Sequence, residues 1–349
     1  MSVLKGLVMP RGSKPPFDFD FVRSAGSQAR GAYSEPYICC YSHLNLDLIR
    51  RSESGQHTAP GHAELFLDVK PAPTDDYFRD PPPGVRSPLF ACALSGEGRG
   101  ARASTSEIFK CLGQPVVYAV EIMARQPRVF LFSISMFGSL ARLIRWDRAG
   151  AVMTRAFDIR QDGSLLHEFF QRFLHASDAG RGHDLSYKLA SPQQEALFFR
   201  TVEARIRQQS HLQGHDLQCA LREHYEPGKV YTVDVLQLQS SSQAACRHQY
   251  MVSRPVVSPR TLAGRGTRGY WAVDSSTNAL VFIKDTWRDL SLEVMEGKTL
   301  ELLTSLGVRY IPSVVGFGDV QQPLPGWRKE DVHIQRVYSR NIYLPAIWY

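Results

Sequence analysis

Residues 264–284, GRGTRGYWAVDSSTNALVFIK, set three glycines (Gly264, Gly266, Gly269) ahead of a lysine, Lys284. The glycines form a G-x-G-x-x-G run. Apolar, β-favouring stretches flank it: Cys246–Val257 before, Gly269–Val273 and Leu280–Lys284 after. A glycine run between two strands is not the strand-to-helix turn of a dinucleotide-binding fold. It predicts a loop whose backbone, free of Cβ atoms, folds closely over phosphate groups. Lys284 ends an apolar strand, so its amine either snorkels to water or meets an anion. Further on, EGKTLELLTSLGVRYIP (296–312) predicts a helix within Leu290–Leu306 and a strand at Pro312–Phe317. Leu300, Leu303 and Leu306 are expected to form one packed face of that helix. Glu296 is placed to meet Lys284, with Glu293 and Glu301 as the competing choices.

Glycine loop, lysine strand, helix and glutamate follow one another here as they do in a protein-kinase nucleotide cradle, Val281-Phe-Ile-Lys284 standing for V-A-I-K. The stretches GRGTRGYW (264–271), FIKDTWR (282–288) and GVRYIP (307–312) resemble the fungal-type protein kinase family. RVFLFSISMFGSLARLIRWD (128–147) and Arg181-Gly-His-Asp184 are similar to that family's N-terminal region, so the similarity runs from about Ala63 to Val320. The resemblance implies a kinase-like fold behind a separate α/β region, with ATP as ligand and Ser/Thr phosphorylation as the family activity. It also implies that Gly264, Gly266, Gly269, Lys284 and Glu296 contact nucleotide.

One departure is large. A kinase needs an H-R-D aspartate to position the hydroxyl and a D-F-G aspartate to hold magnesium. After Lys284 the sequence offers Asp285, Asp289, Asp319 and Asp331, none in either setting, and His333 is the only histidine. The tail from Trp327 reads as a strand, Val332–Tyr338, then an aromatic, proline-containing end. The expectation is a truncated N-lobe with no C-lobe, a pseudokinase inactive in phosphoryl transfer and at most a binding or regulatory module. An alternative is a non-functional fragment of an altered gene model.

Outward from that core, the expected class is α+β. Residues 1–30 read as a flexible arm and 31–190 as an α/β region. Residues 191–228 read as a helical linker, and 229–349 as an N-lobe of antiparallel sheet plus one helix. Strands are expected at Ala63–Val69, Val129–Ser135, Leu140–Trp146, Ala151–Ile159 and Val230–Leu238, with a tight hairpin turn at Asp147–Gly150. Helices are expected over Ser106–Ala124, interrupted near Gly113–Pro115, and at Leu165–His175 and Gln193–Arg207. A long loop after Pro71 carries Pro81–Gly84 and Gly96–Arg102.

The α/β region also has a pattern that fits PD-(D/E)xK nucleases. Asp68-Val-Lys70 ends a strand and Asp47 precedes it, so two carboxylates would hold Mg2+ while the lysine steadies the attacking water. Gln114 and Tyr118 match a Q-x-x-x-Y element, and Tyr118 and Glu121 would share a helix face. A magnesium-dependent nuclease-like enzyme is therefore the alternative function.

The formal charge of +7 leans toward anionic partners: nucleotide first, nucleic acid with weaker support, since no dense Lys/Arg block exists. Cys39, Cys40, Cys92, Cys111, Cys219 and Cys246 lack paired metal spacing and read as reduced thiols. His167, His175 and His183 read as surface or capping residues. Leu4–Met9 is too short for a signal peptide, and Val129–Ile144, interrupted by Arg142, is too short to span a bilayer. A cytoplasmic or nuclear home without membrane contact is expected. No protein partner is specified.

Overall fold

The computed structural model describes residues 19–23, 38–51, 60–76, 78, 80, 105–210, 212–238, 245–289, 295–319 and 338–345. The chain forms two compact units, Met1–His183 and Asp184–Tyr349.

In the first unit, β1 (Phe19–Arg23), β2 (Ile38–Ser42), β3 (Leu65–Lys70), β4 (Phe130–Phe137), β5 (Leu140–Asp147) and β6 (Gly150–Met153) pair in that order, and β7 (Phe157–Asp158) adds to β5. Only β3 and β4 run parallel; the other pairs are antiparallel. A parallel pair needs a crossover, and α2 (Thr105–Arg125) lies between the two strands in sequence. Leu65, Phe66 and Leu67 are all fully buried, as strands covered on both faces require. Leu65 and Leu67 join Leu166, Phe170 and Phe173 of α3 (Gly163–His175) on one face. On the other, Phe66 meets the edge of Tyr118 from α2.

Several expectations change here. β1 falls inside the segment read as a flexible arm, and α1 (His43–Arg51) was not foreseen. The helix α2 runs through Pro115 without the expected interruption. The strand expected over Ala151–Ile159 breaks into β6 and β7, because residues between them serve a buried arginine. Arg142 donates to Asp76, Asp80 and the carbonyl of Thr154, while Asp80 accepts from the amide of Ala156. The Asp147–Gly150 hairpin forms as expected. Pro81–Gly84, Gly96–Arg102 and Cys92 lie outside the described residues.

In the second unit the sheet is wholly antiparallel, in the order β13-β14-β12-β11-β10-β9-β8. The strands are β8 (Tyr187–Leu189), β9 (Tyr231–Leu238), β10 (Ala245–Val252), β11 (Arg268–Asp274), β12 (Leu280–Asp289), β13 (Val314–Asp319) and β14 (Tyr338–Pro345). β14 begins where the expected strand ended, and 332–337 lie outside the described residues. The sheet curls until β13 approaches β9. The concave face so enclosed holds Val233, Val252, Tyr270, Ala272, Val281 and Ile283. The opposite face is covered by α4 (Pro192–Ser210) and α5 (Gly214–His224), whose Phe198, Val202, Leu217 and Leu221 pack on Met251 and Val273. These two helices fall in the stretch read as a helical linker, and α6 (Glu296–Ser305) is the one helix among the described residues of 229–349.

Candidate functional site: the Lys284 lane

β12 alternates strictly. Val281, Ile283 and Asp285 point into the curled interior, which leaves Phe282, Lys284 and Thr286 on the opposite face. The register with β11 pairs Val273 with Leu280, Trp271 with Phe282 and Gly269 with Lys284, so these residues form a lane across two strands. At one end Val273 and Leu280 lie beneath α4 and α5. Next, the Trp271 ring stacks on His224 of α5, with ring centroids 3.9 Å apart. Then comes Phe282, whose ring covers Gly269. Beyond it stands Lys284.

Lys284 Nζ donates to both carboxylate oxygens of Glu296, at 2.6 and 2.7 Å. Of the two competing acids, Glu293 lies outside the described residues and Glu301 is exposed farther along α6. Glu296 sits in the first turn of α6, where a carboxylate also suits the helix dipole. Arg265 of the glycine loop brings its guanidinium to 3.9 Å from the same carboxylate, a neighbour the sequence reading missed. Arg265 also accepts, through its carbonyl, from the amide of Trp287 and the hydroxyl of Thr286. The hydroxyls of Thr267 and Thr286 lie 3.0 Å apart. This end of the lane is polar, and among the described residues two cations face one carboxylate there.

The three glycines have different reasons. Gly264 and Gly266 take φ of +98° and +49°, so they shape the loop, and a Cβ built at Gly264 would meet nothing within 4 Å. At Gly269 a Cβ would lie 2.5 Å from Cζ of Phe282 and 3.2 Å from Val257. Its smallness accommodates the chain's own ring.

Asp285, next to the lysine, is spent inside. It accepts a 2.8 Å hydrogen bond from the Tyr187 hydroxyl and lies opposite Arg268. Burial, then the neighbouring Asp285, pushes the Tyr187 hydroxyl well above its usual range. Burial opposes the charge on Arg268, but Tyr270, Tyr187 and Asp285 outweigh it and raise its pKa. Helix α6 buries only Gly297, beneath Phe317. Leu302 and Leu306 are exposed, so the expected packed face of Leu300, Leu303 and Leu306 is not formed as one.

A model of the family described as fungal protein kinase matches residues 100–336. The chain belongs to the fungal protein kinase family. Neither a curated protein nor a solved structure matches it. No helix among the described residues is long and apolar enough to cross a membrane.

In this family member the nuclease-like residues are arranged as follows. Lys70 donates to Asp68 at 2.7 Å, on the face where Tyr118 meets Phe66. Asp47, expected on a neighbouring strand, is exposed on α1 instead. Leu46 and Ile49, three apart, take the inward face of that helix and turn Asp47 outward. Gln114 is half-buried on α2, and Glu121 pairs with Arg125. No group of three or more His, Cys, Asp or Glu side chains suited to a metal occurs among the described residues. Cys39 and Cys40 are buried thiols and Cys219 is an exposed one.

The Arg181–Asp184 run proves to be structural on its first-unit side. His183, read above as surface or capping, reaches Glu64 Oε2 with Nε2 at 2.7 Å, and Arg128 reaches the same oxygen at 3.0 Å. Burial alone would raise the Glu64 pKa, but Arg128 and His183 overcome it and lower the carboxyl to about 2. Burial, reinforced by Arg128, lowers the His183 pKa. Both shifts act in one direction on acid stability. An acid depressed from 4.5 stabilises the fold above that pH and loses its contribution as pH falls toward 2. A histidine held neutral adds a further loss as pH falls below its ordinary 6.5. Stability of the first unit is therefore expected to decline from about pH 6.5 and by about 3 kcal/mol more below pH 4.5. Urea unfolding at stepped pH measures this. A Glu64→Gln chain with an unchanged acid slope would show that Glu64 is not the cause.

Proposed function

We propose that this chain is a binding or regulatory module of its family, one that holds a phosphate-bearing ligand at Lys284 without transferring phosphate. The supporting observation is the two-oxygen grip of Lys284 on Glu296, with Arg265 of the glycine loop alongside. That grip holds the amine beside the loop, and with the Arg265 guanidinium next to it the pair of cations suits the phosphates of a nucleotide. ATP is the ligand the family points to first.

The magnesium side of such chemistry has less support in these residues. Asp285 is committed to Tyr187 on the enclosed face, and Asp289, Asp319 and Asp331 do not stand in an H-R-D or D-F-G setting. Background-level incorporation of labelled phosphate into generic protein substrates is expected. Titration of ATP into the chain should give saturable heat that Lys284→Ala reduces at least about tenfold in affinity, a loss of one charge-assisted contact. Robust incorporation abolished by the same substitution would overturn the non-catalytic reading. ATP binding unaffected by it would overturn the cradle.

A further inference from the structure

Resting on the cradle proposed above, we infer that this site reads the phosphate chain of its ligand and excludes the base, so that its ligand class is inorganic polyphosphate or the polyphosphate end of any nucleotide. A ligand whose phosphates meet Lys284 has two directions along the lane. Toward Phe282 and Trp271 the face is occupied by half-buried aromatic rings. The Phe282 ring lies close enough over Gly269 that a single added carbon would clash, and Val257 of the same loop flanks it. Val257 is fixed there by reciprocal backbone hydrogen bonds with Gly269, at 2.9 and 3.3 Å. Farther along, Trp271 is stacked on His224, whose backbone carbonyl in turn accepts from Arg254. Among the described residues these rings occupy the side on which a planar base would lie.

The other direction is polar. Exposed Arg265 and half-buried Thr267 lie beyond Lys284, with Thr286 buried behind them, and a Cβ built at Gly264 would meet nothing within 4 Å. Phosphate oxygens suit such a surface and an aromatic base does not. The element deciding between the two classes is the Phe282 ring. Replacing it by alanine uncovers Gly269 and opens an apolar slot beside Lys284.

The test titrates sodium tripolyphosphate, ATP and adenosine separately into the intact chain at fixed ionic strength. Tripolyphosphate and ATP should bind within about threefold of each other, and adenosine should give no saturable heat. Phe282→Ala should raise ATP affinity about tenfold or more while leaving tripolyphosphate unchanged, since only a base gains from the opened slot. Circular dichroism checks the fold of that variant. Phe282→Leu, which shortens the ring without emptying the position, replaces it if it does not fold and should raise the ATP preference in the same direction.

ATP binding ten or more times tighter than tripolyphosphate in the parent chain would overturn the inference and leave the cradle standing. So would an ATP-to-tripolyphosphate ratio unmoved by opening Phe282. Failure of both phosphate probes to bind would instead remove the cradle itself.

Discussion

Gly182→Ala is expected to destabilise the first unit by roughly 3–5 kcal/mol, combining left-handed strain with an overpacked contact. Gly182 takes φ of +92°, and a Cβ there would sit 2.1 Å from the carbonyl oxygen of Phe130. That oxygen belongs to a strand backbone and cannot swing aside. The glycine carbonyl also accepts from the amide of Val129 at 2.9 Å, so a retreat of the segment would break a ladder contact. Gly150→Ala is the control: its φ of +139° carries strain, but nothing lies within 4 Å of the added carbon. It should cost about 1 kcal/mol. Trp146 is the one tryptophan before residue 184 and is buried, so its fluorescence during urea unfolding reports on this unit. Equal losses in the two variants would sink the argument.

Arg128→Met should cost a comparable amount, about 3–5 kcal/mol, because it strands a buried partner. The guanidinium donates to Gln126, to the carbonyls of Ala63 and Arg181, and to Glu64, and its side chain is fully buried. Methionine fills much of the volume but meets none of those acceptors. Adding Glu64→Gln should recover part of the loss, since the stranded charge is then gone. Additive losses in the double variant would mean that the two side chains do not act as a pair.

How much of this was legible in the sequence depended on the range of the interaction. The β11, β12 and α6 segments announce themselves through local alternation and spacing, and the Lys284–Glu296 pair follows from their order. Phe282 was in plain view within V-F-I-K. Its position over Gly269 was not, because it depends on which residues of β11 and β12 face each other. The Arg128–Glu64 and Arg142–Asp76 pairs join residues more than sixty positions apart, beyond any periodic signal. Asp47 failed for the opposite reason. The local pattern of Leu46 and Ile49 is that of a helix, and it outweighs the motif spacing there.

The place of β14 governs how this chain comes off the ribosome. β12 is made well before β14, yet in the finished sheet β14 lies between β12 and β13 and pairs with both. Until Pro345 has emerged, the outer edge of β12 has its backbone donors and acceptors open. At ordinary translation speeds that interval is on the order of several seconds. An apolar strand with a bare edge invites pairing with another nascent copy. The second sheet is therefore closed from its far end inward, and its yield in a cell depends on how well that window is guarded.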